Sequence, residues 1–321
     1  MKKLLIAVGL VMGCATTTAI AETFPERPLT IIVPYAAGGS SDTVARAAGK
    51  HIAEATGQSV VVENRPGGAT VIGAQALLSK PADGYTTMLV AASFVINPHL
   101  LKLPYDPDTS FRPVALVASN PHVLVVNSSV PANSLSEFVE WAKSKNGGAD
   151  FSSFGNGSSG HIGFEMLNQM ADINMLHVPY KGAAPATMAV LSGEVDATLA
   201  DIGVVAPHLK SGEGKIKAIA ITGDKRAATL PDVPTFKESG MPEYNSRTWL
   251  GLWTRAEVPD DKVRRLNQLF NDALKSEEMQ ALLAQQGFEA GSTTPEAFAE
   301  FAKEESKRYK AAIEKANIRI E

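Results

Sequence analysis

Two short segments rich in glycine and serine carry the residues of this 321-residue chain most suited to ligand chemistry: Gly38 to Asp42 (GGSSD) and Gly155 to Gly160 (GNGSSG). Each follows a short apolar run and precedes apolar residues at helical spacing, which predicts a strand, a loop and a helix. Backbone amides and hydroxyls at a helix N-terminus favour an anion, because orphan N–H groups and the helix dipole are positive there. A tight turn with a serine N-cap would need no ligand. One loop alone leaves both interpretations open, and the pair favours a ligand site.

The composition of the two loops narrows the ligand class. Neither loop contains the lysine of a phosphate-binding loop, and neither fits the G-x-G-x-x-G pattern of dinucleotide sites. Small neutral donors suit a carboxylate. The sequence therefore favours a carboxylate site and gives little support to a nucleotide site.

Residues that could support catalysis or metal binding are few. His161 and Glu165 lie four residues apart on a predicted helix and could be half a metal site or a general base held by a carboxylate. The more ordinary interpretation, a histidine at a helix start, is favoured because no second histidine follows at metal-ligand spacing. No G-x-S-x-G nucleophile motif occurs, and the lone cysteine, Cys14, lies near the N-terminus. We therefore predict no catalytic residue, no metal site and no cofactor.

Two further places offer polar groups at the ends of predicted strands. Tyr180 to Pro185 (YKGAAP) ends a strand and opens a helix, and within it Lys181 could neutralise an anion or be a solvated surface lysine. Asp201 follows a strand, at the edge of a sheet where ligands bind in α/β proteins. It could meet an amine or hydroxyl of a ligand, or equally cap the next segment.

The elements that position these residues alternate between strand and helix. Runs at Leu29–Val33, Ser59–Val62 and Tyr85–Ala91 are separated by helical patterns, which predicts parallel β-α-β units. Pro113 to Val126 is predicted as two strands or as one strand broken near Asn120, because proline cannot continue a central strand. Three helical patterns follow residue 260. Two α/β lobes, each presenting one glycine loop to a ligand between them, are the simplest arrangement.

The charge distribution and the N-terminal segment limit the possible functions further. The 30 basic and 34 acidic residues are scattered, which argues against a nucleic-acid binder. Residues 1–21 are typical of a secretory signal peptide, with Lys2 and Lys3, an apolar run and the A-x-A cleavage signal that ends at Ala21. A lipoprotein signal with Cys14 acylated is the alternative. We expect cleavage after Ala21 and a periplasmic protein.

Several motifs together resemble the tripartite tricarboxylate transporter substrate-binding proteins, also called the Bug or TctC family, and the match covers nearly the whole chain after residue 21. The matching motifs are FPERP from Phe24, IVPY from Ile32, VVENRPG from Val61, DGYT from Asp83, FRPV from Phe111, HVPYKG from His177 and LPDVPT from Leu230. Ala36-Ala37 and Ser40-Ser41 depart from the more usual residues of the first loop.

The resemblance implies a two-lobed periplasmic binding protein, each lobe a mostly parallel sheet flanked by helices, that closes on a small organic carboxylate. It implies one lobe from residues 22–121 and 223–321 and a second from 122–222. The ligand-binding residues that it implies are Tyr35, Gly38, Gly39, Ser40, Asp42, Gly155, Asn156, Gly157, Ser158 and His161. Further candidates are Ser93, Asn97, Tyr180, Lys181, Ala183 and Asp201.

The function that this resemblance implies is capture of a di- or tricarboxylate, an aromatic acid or an acidic amino acid for a membrane permease. A second hypothesis is a sensor whose closed form docks on a membrane histidine kinase. A third is a secreted α/β enzyme acting on a carboxylate, which the missing nucleophile, base and metal ligands make weaker. The sequence does not distinguish transport from sensing.

Overall fold

The computed structural model describes residues 24–145 and 148–319. The predicted signal peptide and Cys14 lie outside these residues. Within the described ranges no helix is long and apolar enough to cross a membrane.

Strands and helices alternate along most of the chain. The strands are β1 Leu29–Val33, β2 Val60–Asn64, β3 Thr86–Ala91, β4 Phe111–Asn127, β5 Asp150–Ser153, β6 Leu176–Pro179, β7 Ala197–Asp201, β8 Ile216–Ile221, β9 Arg247–Arg255 and β10 Glu289–Ala290. The α-helices are α1 Ser40–Thr56, α2 Val71–Leu78, α3 Ser93–Ile96, α4 Leu135–Ser144, α5 Ser159–Ala171, α6 Ala183–Ser192, α7 Ile202–Lys210, α8 Asp260–Lys275, α9 Glu277–Gln285 and α10 Pro295–Ala316. Short 3₁₀ turns cover Gly68–Thr70 and Asn97–His99.

The strands form two sheet regions that share β4. Along the sheet the order is β2-β1-β3-β9-β4-β7-β5-β6, and β8 and β10 also pair with β4. The pairs β1–β2, β1–β3, β5–β6 and β5–β7 are parallel, whereas β4 and β9 contribute antiparallel pairs. This arrangement confirms the two-lobed α/β architecture and its parallel β-α-β parts.

Strand β4 passes from one sheet region to the other in its middle. Residues up to Pro121 pair with β9, and residues from His122 onward pair with β7. β4 is a single 17-residue strand, so the alternative of two separate strands is wrong. Pro121 is tolerated because the missing amide donor falls where the partner strands change. The division of the chain into lobes at specific residues stays a prediction.

Helix α1 illustrates how the sequence packs beside the first loop. Val44, Ala48 and Ile52 follow helical spacing and are at most 1% exposed against the sheet. Gly57 ends the helix in a left-handed conformation with φ of 71°, which glycine adopts without steric cost. The helix start is thereby held at the carboxyl end of β1.

Candidate ligand-binding cleft

A cleft with a volume of about 460 Å³ lies where the two sheet regions meet. It is lined by Pro34, Tyr35, Ala36, Pro66, Gly67, Ala69, Thr70, Ala91, Ala92, Ser93, Asn97, Phe154, Asn156, Gly157, Ser158, Ser159, Asp201 and Thr248. Most of these residues follow the carboxyl ends of strands, where ligands bind in open α/β sheets. Asp201 is the one acidic or basic side chain among these lining residues.

The second glycine loop enters the lining directly. Ser158 caps α5, and its hydroxyl accepts a hydrogen bond from the His161 amide at 3.2 Å. Gly157 is buried with φ of 70° and donates its amide to His161 Nδ1 at 3.2 Å. The first turn of α5 contains no acidic residue. The positive end of this helix therefore faces the cleft without an acid of its own helix.

His161 holds the second glycine loop through a hydrogen bond and does so as a neutral ring. Its Nδ1 accepts a hydrogen bond from the Gly157 amide, so the ring proton resides on Nε2. The ring stacks on His177 with centroids 3.8 Å apart. Burial, and to a smaller degree the nearby His177, lowers the pKa of His161 to about 3.

Glu165, the second residue of the suggested metal pair, hydrogen bonds with Asn168 and not with His161. Its carboxylate accepts a hydrogen bond from Asn168 Nδ2 at 3.2 Å, and burial raises its pKa. Within residues 24–145 and 148–319, no group of three or more histidine, cysteine, aspartate or glutamate side chains could hold a metal ion.

The first glycine loop is organised around Asp42. The Asp42 carboxylate accepts hydrogen bonds from the Gly38 amide at 2.9 Å, Asn64 Nδ2 at 3.0 Å and Arg46 Nε at 3.1 Å. The hydrogen bond from Arg46 is the main reason that the pKa of Asp42 lies below its usual range. Of this region, only Pro34, Tyr35 and Ala36 line the cleft.

Tyr35 and Ser93 join the ends of β1 and β3. The Tyr35 hydroxyl lies 2.9 Å from Ser93 Oγ and accepts the Ala91 amide at 3.0 Å. Burial raises the pKa of Tyr35, so it remains a neutral phenol. Asn97 joins another lining residue, because its Nδ2 donates to the Ala69 carbonyl at 2.5 Å.

Asp201 stands at the boundary between β7 and α7. It occupies the N-cap position of α7, yet its side chain makes no capping hydrogen bond. Its Oδ1 is buried and has no hydrogen-bond partner among the described residues. Burial raises the pKa of Asp201 to about 6, against a smaller opposing effect of the Thr248 hydroxyl.

The floor beside Asp201 is a polar network that sequence reasoning missed. His122 is fully buried and hydrogen bonds with Ser246 Oγ at 2.8 Å and Thr248 Oγ1 at 3.1 Å. Thr248 Oγ1 also lies 3.1 Å from Ser159 Oγ. Burial is the main cause that lowers the pKa of His122 to about 3. The sequence signal for this network is the presence of two polar residues, Asn120 and His122, inside the apolar run of β4.

The predicted ligand residues divide into two groups by position. Those that line the cleft are Tyr35, Ser93, Asn97, Asn156, Gly157, Ser158 and Asp201. Those outside its lining are Gly38, Gly39, Ser40, Asp42, Gly155, His161, Tyr180, Lys181 and Ala183. Tyr180 donates its hydroxyl to Glu194 at 2.9 Å, and Lys181 is exposed. Sequence reasoning also missed Ala69 and Thr70, which line the cleft with positive φ.

Comparison with known proteins identifies the family. Residues 44–318 match the model of the tripartite tricarboxylate transporter family receptor. Three solved structures are similar over most of their length. The Rhodopseudomonas palustris protein Rpa4515 with adipate is 30% identical, with 92% of this chain and 99% of that chain covered and a TM-score of 0.81.

The other two structures are similarly related. The periplasmic binding protein BugD is 33% identical, with 92% and 99% covered and a TM-score of 0.77. MatC from Rhodopseudomonas palustris with bound malate is 30% identical, with 90% and 100% covered and a TM-score of 0.77. These findings confirm the resemblance that the sequence motifs indicated. The chain belongs to the tripartite tricarboxylate transporter receptor family of solute-binding proteins.

Proposed function

We propose that this protein captures a small organic carboxylate in the periplasm and delivers it to the membrane permease of a tripartite tricarboxylate transporter. The observation that carries this proposal is the cleft between the sheet regions, where the N-terminus of α5 faces neutral groups from β1 and β3. The adipate and malate bound by Rpa4515 and MatC support a carboxylate ligand.

The α5 N-terminus supplies the physical basis for anion binding. Ser158 and Ser159 line the cleft at the first turn of the helix, and Asn156 adds an amide side chain. The dipole and the N–H groups of a helix start stabilise a negative charge, and α5 brings no acid of its own to that turn. Recognition through neutral donors needs no lysine or arginine in the cleft.

Closure of two lobes around the ligand is part of the proposal. β4 changes partners between Pro121 and His122, and the chain returns near Thr222, whose amide donates to the His122 carbonyl at 2.8 Å. We propose residues 22–121 and 223–321 as one lobe and 122–222 as the other. Bending at these two crossings would let the α5 end approach Tyr35 and Ser93.

The N-terminal leader directs the proposed location. The A-x-A signal before Glu22 favours cleavage after Ala21 and release into the periplasm. N-terminal sequencing of protein expressed with its own leader should therefore begin at Glu22. A lipid-modified Cys14 at the mature N-terminus would instead show an anchored protein.

A thermal-shift screen of mono-, di- and tricarboxylates, aromatic acids and acidic amino acids tests the function. A ligand at 100 times its Kd stabilises the folded protein by about 2.7 kcal/mol, which gives a clear rise in Tm. Small-angle scattering with that ligand should show a smaller radius of gyration, and the acid should be recovered unchanged. A panel that yields no stabilising carboxylate would reject the proposal.

A further inference from the structure

Asp201 is a charged side chain inside a cleft whose other lining residues are neutral. It ends β7 and precedes α7, close to the point where β4 changes partners. An acid at this place is unexpected in a site for anions, because its own negative charge opposes a ligand carboxylate nearby. The presence of an acid at this position therefore needs a separate explanation.

The Asp201 side chain does not cap α7. An aspartate at an N-cap usually accepts a hydrogen bond from an amide of the first turn, and Asp201 does not. Asp201 thus occupies the N-cap position that the sequence suggested, but without the capping hydrogen bond. Its buried Oδ1 has no hydrogen-bond partner among the described residues, although it lines an open cleft.

The neighbouring groups also leave Asp201 without a counterion. His122 Nε2 is 3.7 Å from Asp201 Oδ1, too far for a hydrogen bond, and is engaged with Thr248 Oγ1 at 3.1 Å. Burial keeps the His122 ring neutral, and Arg247 and Arg308 oppose its protonation further. Thr248 and Ser159 contribute hydroxyls only.

A carboxylate in this position gains most from a donor that arrives with the ligand. A buried acceptor left without a partner costs free energy, and the cost is greater when the acceptor is charged. An ammonium group or a hydroxyl on the ligand would satisfy Oδ1, and the ammonium would also neutralise the charge. A plain dicarboxylate would do neither and would add repulsion.

We propose that Asp201 selects carboxylate ligands whose carbon skeleton also carries a protonated amine or a hydroxyl, with the amine favoured. This inference rests on the proposed function, because it assumes that the carboxylate binds in the same cleft. Asp201 then determines specificity, while the α5 end supplies the carboxylate site.

Ligand triplets that differ in one substituent give a direct test. Aspartate, malate and succinate share four carbons and differ only in an amine, a hydroxyl or a hydrogen at one carbon. Glutamate, 2-hydroxyglutarate and glutarate form a five-carbon triplet. 2-Aminoadipate, 2-hydroxyadipate and adipate form a six-carbon triplet, and phenylalanine, phenyllactate and phenylpropionate form an aromatic one. Calorimetry should show that the amine member of the binding triplet is preferred over the unsubstituted member by at least about tenfold, as expected for a charge-assisted hydrogen bond.

Asp201→Asn separates charge from shape. The variant should lose the amine preference, leaving the members of the triplet within about threefold of one another. Asp272→Asn, on the exposed face of α8, changes the net charge equally and should keep the wild-type order. Circular dichroism and Tm of each variant establish that it folds.

The outcomes distinguish this inference from the proposed function. If unsubstituted acids bind wild type as well as their amino and hydroxy counterparts, or better, the role of Asp201 is overturned and carboxylate capture stands. The wild-type order alone decides this, even should Asp201→Asn fail to fold. A preference for the hydroxyl over the amine would overturn the favoured ammonium. No binding in any triplet, together with a thermal-shift panel that yields no stabilising carboxylate, would overturn both proposals.

Discussion

The two glycine loops contain the same kind of internal hydrogen bond, but the accepting side chain is charged in one loop and neutral in the other. In each, a glycine amide is held by the side chain four residues later: Gly38 by the Asp42 carboxylate at 2.9 Å, and Gly157 by His161 Nδ1 at 3.2 Å. Asp42 carries a negative charge into the first turn of α1, whereas His161 is a neutral ring at the start of α5.

This difference indicates which helix end is available to an anionic ligand. At α1 the place of the anion is taken by Asp42, which is itself bound by Arg46 and Asn64. At α5 the support comes from an uncharged acceptor, so no acid of its own loop or first turn compensates the positive end of the helix. The loop that lines the cleft most fully is the one without an acid. Similar glycine-serine sequences thus serve different purposes in the two lobes.

Valine at the two glycines should produce the largest contrast. Gly157 has φ of 70° and is buried, so Gly157→Val forces a β-branched residue into a left-handed conformation that costs about 1–2 kcal/mol and displaces the cleft wall. Gly39 has φ of −78° and ψ of 171°, and an added Cβ would lie 3.7 Å from its nearest neighbour, Ala36 O. Calorimetry should show binding lost in Gly157→Val and largely kept in Gly39→Val. Equal loss in both variants would mean that the first loop also contacts the ligand.

Much of this contrast could not be predicted from the sequence. Strand-loop-helix order was clear from apolar periodicity, and both loops were found because glycine and serine concentrate there. Which amides are engaged depends on side-chain rotamers of Asp42 and His161, which periodicity does not specify. The sequence therefore grouped Gly38 and Gly157 together as donors, although each amide already has a partner in the fold.

Other missed features have similar physical causes. Strand β9 is missing from the sequence prediction, although RTWLGLWTR is a short β-forming run between arginines. Thr248 therefore went unnoticed as a cleft residue. The His122 network depends on β4 and β9 meeting at the sheet change, a contact between residues more than 120 positions apart. The ends of parallel strands, where Asp201 lies, were predictable from topology.

Replacing the two accepting side chains, His161 and Asp42, should give the next largest effect, which is on the free energy of unfolding. His161→Phe keeps a ring on His177 but deprives the buried Gly157 amide of its partner, at a cost of about 1–3 kcal/mol in unfolding free energy. Asp42→Asn keeps an acceptor for Gly38 but loses the hydrogen bond from Asn64 Nδ2 and the ion pair with the exposed Arg46. Because Asn64 Nδ2 keeps the Tyr35 carbonyl as an acceptor and Arg46 is solvated, the loss should be smaller, about 1 kcal/mol. Urea denaturation of both variants measures the difference. A larger loss in Asp42→Asn would show that the first loop is the more tightly held.

The two acceptors should also respond to acid over different pH ranges. The pKa of His161 is lowered to about 3, so between that value and 6.5 the unfolded chain binds more protons than the folded protein. Stability then rises with pH across this range, by at most about 1.4 kcal/mol per pH unit for one histidine. The pKa of Asp42 is lowered from 3.8, so its contribution is present above that value and lost as pH falls further.

The same urea measurements across pH 3 to 7 separate these contributions. His177 and His122 have lowered pKa values and add to the histidine slope, whereas burial raises the pKa of Asp201 to about 6 and opposes it. Subtracting the His161→Phe profile from the wild-type profile isolates His161. A pH-independent difference above pH 4 would contradict its neutral, buried state.

Lys181→Ala should have the smallest effect on binding. Lys181 is exposed and outside the cleft lining, near the start of α6, so its charge is screened by solvent and salt. If anion recognition depends on the neutral α5 end, the variant should bind with an affinity changed by less than about threefold, equivalent to about 0.7 kcal/mol. The affinity should also vary little between low and moderate salt. A loss of binding in Lys181→Ala together with normal binding in Gly157→Val would reverse the assignment, because the anion would then be held by a surface cation and the second loop would be only a turn.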